Sequence, residues 1–589
     1  MFSFRRFFLS IVVCQLALML SPAVYSQAQS DFQALITEHW EWRLASDPEF
    51  ASRIGDRRYN DQWRDRSPDA FDERHEQRLA FLRRLRQIDV RELPESERLN
   101  YELFGQALQD AVDGHRFNAH LMPINQRGGV QNLDSAAEWL RLESATDYED
   151  WLNRMAGIEG VLEQTLELQK AGIEQGYVPP RILMERIPAQ LDAQLVETGT
   201  ESPYYRAFAS MPESISEADQ ARLREQAVAI IEESIVPAYR DFSRYFERSY
   251  LPASRDSIGA SELPDGEALY EYWARHFTTT SMTPDEIHRL GLNEVARIRA
   301  DMQTIIDELE FEGSFEDFLE FLRTDPQFYY ATPQELFEGY LAVSKRIDPE
   351  LVRLFGRLPR MPYGLRPIPD SIAPDTTTAY YQRPAADGSR PGYYYVNLYR
   401  PEVRPRYEME VLSVHEAVPG HHLQIAIQME LPDMPDFRRY SGFTAFTEGW
   451  GLYSESLGYD LGLYQDPYSR FGALTYEMWR AVRLVVDTGM HYKGWTRDQA
   501  IDFFRDNAAK TEADIINEID RYIGWPGQAL AYKIGQLKIF EIRSKAEQTL
   551  GERFDIREFH DALLAGGALP LSVLETRMNR WLTATLANP

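Results

Sequence analysis

The residues best suited to chemistry are crowded into one stretch. His415, Glu416, His421 and His422 lie in Val-His-Glu-Ala-Val-Pro-Gly-His-His (414–422), which holds three of the chain's eleven histidines. Hydrolytic zinc sites need two neutral imidazoles, a third ligand that is usually a carboxylate, and an open position for water. They also need a carboxylate outside the metal shell to take a proton from that water. A second acidic stretch, Thr-Glu-Gly-Trp-Gly-Leu-Tyr-Ser-Glu (447–455), follows some thirty residues on. Together the two segments read as a zinc (Zn2+) site, with His415, one of His421 and His422, and Glu448 as metal ligands. Glu416 is then the general base.

The spacing departs from the common His-Glu-x-x-His arrangement, in which residues four apart share a helix face at ~6 Å. Here the fourth position after His415 is Pro419. On an unbroken helix His421 would point the wrong way, and His422 would sit about 10.5 Å along the axis. Pro419-Gly420 predicts a break, because Pro disrupts the hydrogen-bond ladder and Gly permits unusual dihedrals. A local bulge there returns His421 or His422 toward His415; His421 is favoured and His422 is the close second. Glu448 and Glu455 are seven apart and share a helix face, so Glu455 either orients a ligating histidine or is a surface acid. The competing reading of the whole cluster is a buried polar group with a structural metal or none.

A hydrolytic site also needs a donor for the oxyanion that develops opposite the metal. Downstream candidates are His491, Tyr492 and Tyr532, while Arg483 or Lys533 could hold the C-terminal carboxylate of a peptide. Each of these taken alone also suits a packing role.

The elements that must position these residues are mostly helices. From Asp31 to about Phe246, apolar residues recur at three and four, as in Leu79, Phe81, Leu82 and Leu85, the period of an amphipathic helix. Pro237 should kink or break the last of these helices. Residues 249–265 read as an ordered loop. Thr283-Pro284-Asp285-Glu286 then opens a helix with a Thr cap, Pro at its first position and Glu at its third; His288 on it reads as a surface or packing histidine. Strand signals are confined to Thr376–Gln382 and Gly392–Tyr399, separated by a loop with Asp387-Gly388. These form a hairpin or two strands of a small sheet next to the histidine motif. Such a sheet either takes a substrate backbone as an added strand or braces the helices. After Tyr407 the pattern is helical again, with segments that include His421–Met429, Phe443–Gly458, Arg470–His491 and Trp525–Leu550.

Composition narrows the function classes. Arg5 and Arg6, then the apolar run Phe7–Leu20 and a mostly small or polar stretch, have the layout of a secretory signal peptide over 1–26. The run is short for a membrane span, and Val13 before Cys14 argues against a lipid-modified cysteine. No stable membrane insertion is expected after signal removal, and the protein is expected to be exported, periplasmic or secreted. Cys14 is the only cysteine, so what remains has no disulfide, thiol nucleophile or thiolate ligand. The net charge of −29 excludes broad binding to nucleic acid or anionic lipid. No linker separates independent domains. Residues 27–589 read as one α-rich domain, with a helical N-terminal part (27–290) and a metal-site part (291–589).

Four motifs carry a family resemblance. His-Glu-Ala-Val-Pro-Gly-His-His, Thr-Glu-Gly-Trp-Gly-Leu-Tyr, Val-Asp-Thr-Gly-Met-His and Pro-Gly-Gln-Ala-Leu-Ala-Tyr-Lys-Ile-Gly resemble the bacterial family catalogued as domain of unknown function 885. The stretches Tyr250 to Arg255 and Thr283 to His288 fit it too. Thr447-Glu448-Gly449-Trp450 is also similar to the Asn-Glu-Gly-Phe element of zinc aminopeptidases. The resemblance implies a large helical fold related to gluzincin metallopeptidases, with a small sheet beside the metal helix. It implies zinc, a peptide substrate and the same ligand set. The expected function is an exported zinc metallopeptidase. The alternatives are a zinc hydrolase of another amide or ester, or a metal-containing binding protein without catalysis.

Overall fold

The computed structural model describes residues 26–369, 373, 377–385, 388 and 390–587. The expected signal segment, apart from Ser26, lies outside the described residues, as do Thr376 and Asp387. The chain is mainly helical, and its described residues hold one small three-stranded sheet. Among the described residues no helix is long and apolar enough to cross a membrane.

Local chemistry sets the helix ends. Thr283 and Glu286 form a reciprocal capping box at the start of Pro284–Glu308, with the Glu286 N–H donating to Thr283 Oγ1 at 3.3 Å and the Thr283 N–H to Glu286 Oε2 at 2.9 Å. His288 on that helix is buried, its Nδ1 2.8 Å from Thr488 Oγ1. Pro237 does not end its helix. The run Glu217–Ile230 widens into a π-helical turn at Ile231–Ile235 just ahead of the proline and resumes over Val236–Tyr245. The wider turn accommodates the ring and its missing donor. A second such turn, Phe246–Tyr250, precedes Pro252, so helix continues to Ala253 and the expected loop begins only at Ser254.

The centre of the molecule is the helix Pro467–Tyr492, called the central helix below. Asp466 caps its first turn, and from Val482 to His491 every residue is buried, the pattern of a helix surrounded by others rather than amphipathic. Pro284–Glu308 lies along it, close enough that a β-carbon on Gly291 would fall 2.7 Å from Leu484 Cβ. The buried apolar residues form two large clusters, one running from Ile124 to Ala529 and one from Ala28 to Leu582. Each cluster draws on both sides of residue 290, so the early helices complete the cores that hold the later ones.

The sheet has the order β1-β3-β2: β1 is Tyr363–Pro367, β2 Ala379–Gln382 and β3 Gly392–Val396. β2 pairs antiparallel to β3, with Tyr381 opposite Tyr394. β1 pairs parallel to β3, with Leu365 opposite Tyr394. The two expected strands are present but shorter. β1 was not expected, because Gly, Arg and Pro interrupt its only aliphatic residue and hide any alternation. β2 is left at an edge of the sheet.

Candidate metal centre

The histidine motif is broken as its sequence requires. A helix Met409–Glu416 (the histidine helix) ends, four residues turn, and a second helix runs His421–Met429. Ala417 and Gly420 leave helical geometry, at φ −98°, ψ −108° and φ −72°, ψ −127°, and the Val418–Pro419 peptide is cis. The Gly420 N–H donates to Val414 O at 2.9 Å, and the His422 N–H to Ala417 O at 3.0 Å, which ties the start of the second helix to the end of the first. A side chain at 420 would collide with the carbonyl oxygens of His415 and Val414. The loop is tied from outside by Trp450, whose Nε1–H donates to Pro419 O at 2.8 Å.

Thr444–Leu457, the glutamate helix, crosses beneath this turn. A β-carbon at Gly451 would lie 2.8 Å from Cε1 of His415, so the ring rests on that glycine with Glu448 and Glu455 on either side of it. On its far face a β-carbon at Gly449 would lie 2.5 Å from Gly535 Cα. Only two glycines let the backbones of the glutamate helix and Ala531–Leu550 approach so closely, and the crossing sets Tyr532 one turn from the contact.

The resulting geometry brings three of the expected ligands together. His415, His421 and Glu448 each offer a ligand atom within 4.8 Å of the others. The Nε2 atoms of His415 and His421 lie 3.7 and 3.4 Å from Glu448 Oε2, and the two rings stand nearly perpendicular at 84°. His415 Nδ1 is 2.8 Å from Glu455 Oε1, so Glu455 is an orienting acid and not a surface one. Burial opposes charge on His415, but the hydrogen bonds to Glu448 and Glu455 outweigh it and raise its pKa to about 9. Burial likewise opposes charge on Glu448, and the two histidines overcome it and hold the carboxyl far below its ordinary range. Two imidazoles and a carboxylate, with no sulfur, are a donor set that fits zinc.

His422 is not part of this group. Its Nε2–H donates to Met361 O at 3.0 Å, so Nδ1 is the acceptor for the Tyr381 hydroxyl at 2.8 Å. Burial pushes its pKa down to about 4, in keeping with a neutral ring. The four-residue turn swings His421 toward His415 and points His422, next in the chain, to the sheet, where it anchors β2.

The three candidate ligands, Glu416 and Tyr532 all line one cleft of about 630 Å³. Burial and the Glu448 charge both push the Tyr532 phenol above its ordinary value. Residues 377–381 form another wall, so the β2 edge faces the same space. Three expected cleft residues lie elsewhere. His491 is fully buried, its Nδ1 accepting from the Ala260 N–H at 3.1 Å and its Nε2–H donating to Tyr522 O at 3.0 Å, which leaves no nitrogen for an oxyanion. Lys533 is buried and neutralised by Glu477 at 2.7 Å and Glu294 at 3.0 Å. Tyr492 packs near Tyr270 and does not line the cleft. Arg483 does line it, but it is paired with Glu518 at 3.1 Å and donates to the Tyr522 hydroxyl at 2.8 Å.

The sequence reading missed Arg480, Glu518 and Arg521, which share that wall. Arg521 pairs with Glu518 at 3.0 Å and donates to Gln528 at 2.8 Å; Arg480 lies 3.4 Å from Glu455. One signal was available: Arg480 and Arg483 are charges one turn apart in a stretch of the central helix, residues 478–486, that is otherwise apolar, where an unpaired cation is costly.

The family model for bacterial proteins of unknown function (DUF885) matches residues 48–578. A crystal structure of a "putative lipoprotein from Colwellia psychrerythraea" superposes with a TM-score of 0.87 at 27% identity, covering 95% of this chain and 100% of that one. A "putative lipoprotein of unknown function from Shewanella oneidensis" shares the fold with a TM-score of 0.70 at 19% identity, covering 94% of this chain and 100% of its own. Among curated proteins none matches. A match over this much of the sequence places the chain in the family of bacterial proteins of unknown function DUF885.

Proposed function

We propose that this protein is an exported zinc-dependent metallopeptidase related to the gluzincins. The observation that carries the reading is the convergence of His415, His421 and Glu448 within 4.8 Å of one another in the wall of a cleft. His415 Nε2, His421 and Glu448 would hold the metal, with Glu455 fixing the His415 ring. When bound, zinc supplies a Lewis acid that polarises a carbonyl and makes water acidic near neutral pH.

The remaining steps belong to the chain. Glu416, beside the first ligand and in the same cleft wall, accepts the proton of the attacking water and returns it to the leaving amine. Tyr532 donates its hydroxyl to the carbonyl oxygen as that atom gains negative charge. The edge of β2, unpaired with another strand among the described residues, accepts an extended peptide as an added strand, with main-chain hydrogen bonds giving register. Arg127, exposed at the mouth and without an ion pair among the described residues, is better placed than Lys533 to meet a substrate carboxylate. Export rests on the segment 1–26 and on the lipoprotein description of both structural neighbours.

The test is hydrolysis of a peptide library by zinc-loaded protein, beside Glu416→Gln. The reading expects cleavage by the wild type and a loss of about 10²–10⁴-fold in the variant at unchanged metal content. Metal-loaded protein that cleaves no peptide would remove the peptidase assignment. Equal turnover by Glu416→Gln would remove the base.

A further inference from the structure

A second cavity, of about 750 Å³, shares no lining residue with the cleft. Its walls come from the helices Gln27–Ser46, Pro68–Leu85, Glu95–His115 and Gly266–Thr278, and from the segment that opens the glutamate helix. In a protein of net charge −29 it is lined by Arg43, Arg64, Arg74 and Arg78.

These arginines are short of counter-ions. Among the described residues only Arg64 has an ion pair, a long one to Asp47 at 3.7 Å. Arg74 is 7% exposed; its Nη1 donates to Asp65 O at 2.8 Å, while Nε and Nη2 are buried without a partner. Arg78 lies over the Trp42 ring at 5.9 Å and makes no hydrogen bond among the described residues. The acids on the cavity wall have other partners: Asp110 lies 2.7 Å from His276, Asp113 accepts from Gln109 at 2.8 Å, and Asp47, besides its long pair with Arg64, caps Phe50 N at 3.1 Å. Burial and the neighbouring guanidiniums lower the pKa of Arg74 to about 10, and the same two causes lower that of Arg78.

Desolvated like charges repel, and buried donors without acceptors are costly. A cavity that gathers four guanidiniums with one long ion pair among them has the features of a bidentate oxyanion site. The cavity adds two features. Trp42, Phe104 and Phe443 give it an apolar side, and the glutamate helix opens onto it with no side-chain cap, leaving its positive end turned to the space. We propose that this cavity binds a small organic oxyanion, a carboxylate or phosphate head held by Arg43, Arg64, Arg74 and Arg78, with an apolar body against Trp42 and Phe104. The site does not depend on the metal reading.

The test is thermal unfolding and calorimetry at fixed ionic strength with inorganic phosphate, phenyl phosphate and benzoate. Phenyl phosphate or benzoate should raise Tm and bind at least about tenfold more tightly than inorganic phosphate, one extra apolar ring being worth a factor of that order. The tighter of the two assigns the head group. Arg78→Gln should weaken binding about tenfold or more while leaving Tm without ligand equal to or above wild type, since it relieves repulsion and breaks no hydrogen bond. Arg74→Gln should do the same to binding, and if it fails to fold, Arg78→Gln decides. The response should persist in His415→Ala. Chloride giving the same shift, both arginine variants responding as wild type, or loss of the response in folded His415→Ala would overturn the proposal.

Discussion

His415 Nδ1 lies 2.8 Å from Glu455 Oε1, and this bond decides which nitrogen of the ring faces Glu448. With Nδ1 committed to Glu455, it is Nε2 that faces Glu448, so a metal displaces the Nε2 proton and the lone pair it takes up points into the cleft. Glu455→Gln keeps the volume and an acceptor but loses the charge. Its expected effect is a drop of about 10–100-fold in zinc affinity with the fold intact. Competition against a chromogenic chelator measures it; unchanged affinity would make Glu455 only a partner of Arg480.

Tyr532 and His491 were equal candidates as oxyanion donors, and the structure separates them. Tyr532→Phe should lower kcat on a peptide substrate by about 10²-fold with KM and metal content nearly unchanged. His491→Gln should lower Tm, because both ring nitrogens serve the frame, at a cost of about 1–3 kcal/mol. Steady-state kinetics beside thermal melts distinguishes the two, and reversed effects would exchange the roles.

Much of the candidate site was legible in the sequence because a metal-binding reading restricts residue types. His415, Glu416 and Glu448 could be named from identity and spacing, and Pro419-Gly420 announced the break. The choice between His421 and His422 depended on the dihedrals of Ala417 and Gly420, which spacing does not encode. The later motifs misled for a different reason. Asp487, Gly527, His491 and Gly535 lie in the motifs that carry the family resemblance, yet in this fold they hold the scaffold. Asp487 accepts from the Tyr270 hydroxyl and the Gly527 N–H, His491 bridges Ala260 and Tyr522, and Gly535 permits the helix crossing. Lys533 looked like a substrate cation because its partners Glu294 and Glu477 lie far away in the chain. The helices were readable from period and caps, whereas β1 depends on pairing with β3 and has little local signal.

Gly420 is the hinge of the histidine turn. Gly420→Ala forces a methyl against two backbone carbonyls and should cost at least about 2 kcal/mol. It should also weaken zinc binding by displacing His421. Gly494→Ala is the control: its φ is +71° but nothing lies within 4 Å, so only about 1–2 kcal/mol of backbone strain is expected and no metal effect. Chemical denaturation and zinc titration of both variants give the comparison.

Asp487 gives the fold a pH signature. Burial raises its pKa from 3.8 to about 7, against the hydrogen bonds from Tyr270 and Gly527 that lower it. Between these values the folded chain keeps a proton that the unfolded chain releases. The stability this group contributes is therefore full below about pH 4 and is lost as pH rises through about 7. Asp487→Asn should flatten that part of the stability profile and unfold at higher denaturant than wild type at pH 8. Parallel profiles for the two proteins would contradict the assignment.

The central claim is that His415, His421 and Glu448 hold one metal ion. Metal analysis of protein purified without chelators, beside His415→Ala and Glu448→Ala, tests it most directly. The account predicts about one zinc per chain in the wild type and none in either variant, with the helical circular dichroism of all three alike. A wild type free of stoichiometric metal, or variants that retain it, would contradict the claim.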